Sequence, residues 1–104
     1  MSYHTQPCIS ITRGAEMYKG LYIKEKCFVI DPEDEDIVTF EIMDARKNVV
    51  LTKTYTRADM NEDDYTFDIY LTAEETATLA PGIGYFRAKL NDSEIIPITT
   101  MYVI

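Results

Sequence analysis

Apolar and polar residues alternate with a period of two along most of the chain. In the run 64–71 the apolar positions are Tyr65, Phe67, Ile69 and Leu71, with threonine and aspartate between them. Successive side chains of a β-strand point to opposite faces, so this spacing is typical of a strand with one buried face. Further strands are predicted in the runs 9–12, 16–23, 37–43, 49–55, 84–90 and 94–104.

Short polar segments separate these runs. The turn 44–48 lies between two β-rich runs and predicts a hairpin, and a second turn at 91–93 leads into the last run. Pro97 lacks a backbone N–H, so we expect at least part of the run 94–104 to form a sheet edge. Gly82 and Gly84 are expected to supply positive φ angles at the entry to the strand that follows.

One short helix is predicted near 73–80. Thr72 and Glu75 have the spacing of a capping box, in which each side chain bonds the other residue's backbone amide. The Pro81-Gly82 pair then ends the helix. A helix of about two turns is marginal in water, so we expect it to lean on the sheet through Ala77 and Leu79.

Length and composition fit one all-β domain spanning residues 1–104, a sandwich or a small barrel. The net charge is −8, and the basic residues are scattered among acids, which argues against binding nucleic acid or an anionic membrane. The N-terminus lacks the pattern of a signal peptide, and no apolar run is long enough to span a bilayer. We therefore expect a soluble protein that is cytoplasmic on synthesis.

Three stretches carry a family resemblance: the opening 9–14 (Ile-Ser-Ile-Thr-Arg-Gly), the strand 36–42 (Asp-Ile-Val-Thr-Phe-Glu-Ile) and the stretch 69–82 around Leu-Thr-Ala-Glu-Glu-Thr. In this order they resemble small immunoglobulin-like β-sandwich proteins encoded in tailed-phage and prophage structural gene clusters. Ala15 stands where that family usually has Asp. The resemblance implies an immunoglobulin-like antiparallel sandwich of six to eight strands and a virion-associated, tail- or baseplate-like role. It implies other phage structural proteins as partners and supplies no catalytic residues.

Candidate catalytic groups are few. The one histidine, His4, lies in a terminal segment that is expected to fray and therefore to position it poorly. Cys8 and Cys27 are interpreted as buried thiols, although pairing between them in an oxidising medium stays open. We therefore expect no enzyme activity and no cofactor, with a small enzyme as the third hypothesis.

An acidic segment offers a weak calcium motif. Asp59, Asn61 and Asp63 alternate oxygen ligands as an EF-hand loop begins, but Asp64 stands where that loop needs Gly and Tyr70 where it needs Glu. The loop 31–36 is also rich in oxygen ligands. Solvated acidic turns are the favoured interpretation of both loops, and we predict no metal site.

Four tyrosines are the candidate interface residues, because they fall opposite the apolar face of their strands: Tyr18, Tyr22, Tyr70 and Tyr85. Tyrosine suits interfaces, since it buries a large area while keeping a polar tip. The alternative is that some of them lie in the second half of the core or cover an edge.

Two functions remain. The first is assembly, with other proteins or as a homo-oligomer, through these tyrosines and through edge strands near 8–12 and 94–104. The second is a carbohydrate- or surface-binding module, against which the absence of Trp argues.

Overall fold

The computed structural model describes residues 9–22, 24–25, 28–29 and 31–104. The predictions for His4, Cys8 and Cys27 lie outside the described residues. The helical segments are a 3₁₀ turn at Arg57–Asp59 and the helix α1 at Ala73–Ala77. The strands are β1 (Ser10–Ile11), β2 (Met17–Tyr22), β3 (Lys24–Glu25), β4 (Phe28–Val29), β5 (Val38–Met43), β6 (Val49–Tyr55), β7 (Met60–Asn61), β8 (Thr66–Leu71), β9 (Gly82–Leu90) and β10 (Ser93–Val103).

These strands form two facing sheets, which confirms the predicted all-β sandwich. One sheet has the order β1-β10-β9-β5-β6 and the other the order β2-β8-β7, while β3 and β4 pair with each other. Strands β5, β9 and β10 therefore share one sheet, and β2 and β8 share the other. Neighbouring strands are antiparallel except for β1 and β10, which run parallel with Ser10 beside Tyr102.

The core lies between the inward faces of these two sheets. Phe40 on β5 and Phe86 on β9 stack with ring centroids 5.6 Å apart, and each is almost fully buried. Opposite them, the three-stranded sheet contributes Leu21, Ile69 and Leu71 to the same cluster. Apolar burial on this scale is the main favourable contribution to folding.

The predicted alternation is confirmed for the apolar residues of β8. It fails at Thr66, which is buried although it was expected on the outer face, and at Tyr65, which precedes the strand. Phe67, Ile69 and Leu71 are buried in the core. Tyr65 was expected on the same face, but it is exposed, lies in the turn before β8 and has a φ of 57°. A residue in the left-handed region reverses the chain instead of extending it, so Tyr65 is out of phase with the strand.

The helix begins as predicted, with the capping box formed in both directions. The Thr72 hydroxyl accepts from the Glu75 amide at 3.1 Å, and a Glu75 carboxylate oxygen accepts from the Thr72 amide at 3.0 Å. The helix ends at Ala77, before the predicted limit. Leu79 is buried as expected, but Ala77 is exposed and Thr76 is the helix residue that faces inward.

The two glycines near the start of β9 have different roles. Gly82 has a φ of 110°, as predicted. The same prediction is wrong for Gly84, whose φ is not positive. A Cβ on Gly84 would lie 2.8 Å from Met101 Cε and 2.9 Å from the Met43 carbonyl oxygen, so close packing requires glycine there.

Pro97 lies within an irregular part of β10, where the pairing with β9 shifts between Ile96 and Thr99. On the other side of β10, β1 pairs only with Tyr102 and Val103 among the described residues. The earlier part of β10 is therefore an edge within the described chain, as Pro97 predicts. The opposite edge of this sheet is β6.

Candidate interaction surface

Three of the four candidate tyrosines come together on the outer face of the three-stranded sheet. The antiparallel register of β2 and β8 places Tyr18 opposite Tyr70 and Gly20 opposite Asp68, with Tyr22 two residues further along β2. We call these five residues the tyrosine face.

The strand period explains why these side chains point outward. On β2 the neighbouring positions Met17 and Leu21 enter the core, so the alternate residues must face solvent. Tyr18 is 67% exposed, Tyr22 45% and Tyr70 39%. Their position opposite the apolar faces therefore agrees with the sequence analysis.

Tyr18 and Tyr70 form a cross-strand aromatic pair. Their ring centroids are 6.3 Å apart and the ring planes are tilted by 58°. A hydrogen bond to the Asp68 carboxylate raises the pKa of Tyr18, and partial burial followed by the charge of Glu16 raises the pKa of Tyr70. Both phenols are therefore neutral at physiological pH, and the pair presents two polar tips beside a fixed apolar surface.

Gly20 forms the floor of this surface. It lies between Tyr18 and Tyr22, which are separated by roughly 13 Å along an extended strand. A Cβ on Gly20 would meet only ordinary contacts, the nearest being Asp68 Oδ1 at 3.7 Å, so the fold does not require glycine here. Gly20 is exposed, so the backbone between the two tyrosines is accessible on this face.

The surroundings of the tyrosine face are acidic. Glu16 precedes β2, Asp68 lies on β8, and Glu62, Asp63 and Asp64 form the exposed turn before β8. The outward positions of β2, β7 and β8 carry no Lys or Arg among the described residues, because Lys19 falls in the inward phase of its strand. The tyrosine face is therefore an anionic aromatic surface.

Tyr85 lies apart from the other three, on the outer face of the five-stranded sheet. It is half-buried, and the Lys47 ammonium lies 5.2 Å from the centre of its ring in a cation–π contact. The structure therefore divides the four candidate tyrosines between two opposite surfaces of the sandwich.

Exposed apolar residues surround Tyr85, and the sequence analysis did not identify them. Ile83 is 52% exposed and Tyr102 is 54% exposed, and the two are direct cross-strand partners. Their alternation with buried residues could have indicated that both face outward. The sequence did not show that β9 and β10 pair in a register that places them side by side. Together with Tyr85, Arg46 and Lys47 they form a surface that we call the hairpin-end face.

A shallow apolar groove adjoins the hairpin-end face. It has a volume of about 250 Å³ and lies between the β5–β6 hairpin and the segment that follows α1. Its lining includes Val50, Pro81 and Ile83, of which Val50 and Ile83 are strongly exposed. The groove extends the apolar surface around the end of the sandwich.

An ionic row lies beside Tyr85 on the same sheet. The Glu41 carboxylate lies 2.6 Å from Arg87 Nε and 3.5 Å from Lys89 Nζ. The hydrogen bond from Arg87 is the largest influence, and it lowers the pKa of Glu41 below its usual value. These two cations are therefore engaged within the chain.

The weak calcium candidates have local structural partners. The Asp59 carboxylate accepts from the Thr56 amide at 2.8 Å, and the Asn61 side chain donates to the Thr66 hydroxyl at 3.0 Å. Asp63 is exposed in the following turn. No group of three or more His, Cys, Asp or Glu side chains in the described parts of the chain is arranged to hold a metal ion.

The loop 31–36 likewise uses its carboxylates within the fold. Asp31 pairs with Arg57, while Asp36 accepts from the Asn91 side chain at 3.0 Å and from the Glu33 amide at 2.9 Å. The Asn91 contact is the largest influence on Asp36 and lowers its pKa. This loop is therefore attached to both the 3₁₀ turn and the β9–β10 turn.

No protein-family model, curated protein sequence or solved structure matches this chain. None of the helices in the described ranges is long and apolar enough to cross a membrane.

Proposed function

We propose that this chain is a non-enzymatic structural or assembly protein of a tailed-phage or prophage particle that acts through protein–protein contacts. The sequence resemblance supports the setting. The tyrosine face supports the mode of action, and the cross-strand pair of Tyr18 and Tyr70 is the observation that carries the proposal.

Tyrosines in this arrangement fit a protein interface for two physical reasons. Each aromatic side chain can bury on the order of 150–250 Å², with few rotatable bonds to immobilise. The strand backbone and the contact with Tyr70 already restrict the position of the Tyr18 ring, so less side-chain conformational entropy is lost on binding. A small sandwich can thus present a rigid aromatic patch without a cavity.

Labelling of purified particles tests this proposal. We expect antibodies against the chain to label virions or assembly intermediates from a host that encodes it. The double variant Tyr18→Ser/Tyr70→Ser should fold but be lost from those particles, because it removes the aromatic area. The matched control Ile37→Thr changes an exposed apolar residue outside the tyrosine face and should be retained. If the wild-type chain is absent from particles and intermediates, the proposal is wrong.

A carbohydrate- or surface-binding module is the second candidate. The exposed Gly20 between two tyrosines favours it, since the flanking rings and the Asp68 carboxylate offer stacking surfaces and a hydrogen-bond acceptor for a sugar ring. A glycan array with specific signals that disappear in Tyr70→Ala and persist in Tyr85→Ala would favour this candidate over assembly. A blank array with retained particle labelling would favour assembly.

A further inference from the structure

We propose that copies of this chain associate head to tail, with the tyrosine face of one copy docked on the hairpin-end face of the next. The proposal rests on the assembly function above and specifies its partner as a second copy. It follows from the charges, the exposed apolar residues and the placement of the two surfaces in the sandwich.

Charge provides the first argument. Four of the described cations form ion pairs within the chain: Lys53 with Glu75, Arg57 with Asp31, and Arg87 and Lys89 with Glu41. Arg46 and Lys47 are adjacent and exposed at the tip of the β5–β6 hairpin. Neither forms a close ion pair with a described residue, although the charge of Arg46 contributes to lowering the pKa of Asp44. In a chain of net charge −8, they are cations available to an acidic surface.

The tyrosine face supplies that acidic surface. Asp68 lies within it and Glu16 at one end, and the acidic turn 62–64 lies beside the other end. Tyr18 and Tyr70 add aromatic rings on which a guanidinium or ammonium group can rest. Lys47 already makes such a contact with Tyr85 inside the chain, so its ammonium is held near an aromatic ring before any docking.

Apolar area provides the second argument. Ile83 and Tyr102 are both more than half exposed, and they lie beside Tyr85 next to the basic hairpin tip. A patch of this kind, with cations at its rim, complements a patch of tyrosines with acids at its rim. Both surfaces would lose apolar exposure in one contact.

The placement of the surfaces decides the symmetry. The tyrosine face lies outside the three-stranded sheet and the hairpin-end face outside the five-stranded sheet, so the two look away from each other. A two-fold contact between tyrosine faces would oppose Asp68 and Glu16 to the same acids of the partner, which costs electrostatic energy. A contact between unlike surfaces is heterologous, and its repetition gives a ring or a filament.

Light scattering coupled to size exclusion tests the proposal on the full chain. We expect the wild-type mass to rise with concentration above the 12.0 kDa of one chain. Two variants each retain one surface: Tyr18→Ser/Tyr70→Ser disables the tyrosine face, and Arg46→Gln/Lys47→Gln disables the hairpin-end face. Each should be monomeric alone, whereas an equimolar mixture should form a dimer of about twice 12.0 kDa and nothing larger.

A charge-matched control separates a specific contact from a general charge effect. Arg13→Gln/Lys19→Gln removes two cations elsewhere and should associate like the wild type. If the tyrosine double variant does not fold, Gly20→Gln fills the floor of the same face at a position where the fold has room for a Cβ.

Each remaining outcome overturns the proposal in a defined way. A wild-type chain that stays monomeric at about 1 mM rules out self-association, yet particle labelling would then still support assembly with other proteins. A mixture of the two variants that stays monomeric excludes the head-to-tail mode. Dissociation of the control variant assigns the effect to net charge instead of to these surfaces.

Discussion

Among single residues, Thr76 shows how a polar side chain serves the core. Its side chain is completely buried, and its hydroxyl accepts from the Gly14 amide at 3.0 Å and lies 2.8 Å from the Ala15 carbonyl oxygen. The hydroxyl therefore joins α1 to the turn between β1 and β2. Buried polar groups are tolerated when they are paired in this way.

Replacing Thr76 by valine keeps the shape of the side chain and removes the hydroxyl. We expect Thr76→Val to lower the free energy of unfolding by about 0.5–1.5 kcal/mol, because backbone groups of Gly14 and Ala15 lose their hydrogen-bond partner. Urea denaturation measures the change. Thr78→Val is the matched control, since that exposed hydroxyl can be replaced by water. Equal losses in both variants would contradict the role given to Thr76.

Tyr65 and Thr76 show which properties of single residues the sequence pattern did not predict. Alternation correctly predicted which residues of β8 enter the core, but it placed Tyr65 among them because a left-handed turn residue leaves no mark on a hydrophobic pattern. In α1 we expected Ala77 to contact the sheet, because alanine is more hydrophobic than its neighbour Thr76. The buried hydrogen bonds of Thr76 depend on the turn at Gly14, which is distant in sequence.

At the scale of elements, α1 is fixed to the five-stranded sheet by Glu75. This carboxylate closes the capping box at Thr72 and also accepts from Lys53 Nζ on β6 at 2.7 Å. The hydrogen bond from Lys53 is the largest influence on Glu75, followed by the bond from the Thr72 amide, and both lower its pKa. A helix of five residues depends on such anchoring, because its own hydrogen bonds are too few.

The lowered pKa of Glu75 gives a pH dependence with a definite sign. A carboxylate whose pKa is lower in the folded state stabilises the fold above its unfolded pKa of about 4.5, and this contribution is lost as the pH falls through the folded pKa. We therefore expect Glu75→Gln to cost about 0.5–1 kcal/mol at neutral pH and progressively less below about pH 4.5.

Thermal unfolding of both proteins across this pH range measures the difference. Glu74→Gln is the control, because Glu74 lies in the same helical turn without an ion pair among the described residues. A wild-type advantage that stays constant down to about pH 3 would show that the charge of Glu75 does not stabilise the helix.

Elements that depend on local sequence were predictable, and elements that depend on distant pairing were not. The hairpin at 44–48 and the capping box follow from short motifs, and both are present. The parallel contact of β1 with β10 joins residues more than ninety positions apart, so no local pattern indicates it. The 3₁₀ turn Arg57–Asp59 was also missed, since its Thr56 cap lies inside a run without helical periodicity.

At the scale of the molecule, the candidate surfaces combine predictable and unpredictable features. The outward phase of each tyrosine was visible in the sequence, as was the net charge of −8. The contact between Tyr18 and Tyr70 could not be predicted, because it depends on the pairing of β2 with β8. The separation of Tyr85 from them could not be predicted either, because it depends on β9 belonging to the other sheet. The result is a sandwich with an anionic aromatic surface on one side and exposed cations on the other.

This asymmetry predicts that salt acts oppositely on folding and on association. Raising sodium chloride from 0.01 M to 0.15 M shortens the Debye length from about 30 Å to about 8 Å. Screening should raise the melting temperature of the monomeric Arg46→Gln/Lys47→Gln variant, because its acidic residues repel one another less. Wild-type association, measured by light scattering, should weaken when sodium chloride is raised further, from 0.15 M to about 0.5 M. At 0.15 M the long-range repulsion between two chains of charge −8 is already largely screened, and the close contact of Arg46 or Lys47 with the tyrosine face joins opposite charges. Association that strengthens with salt would mean that apolar burial at Ile83 and Tyr102 outweighs this attraction.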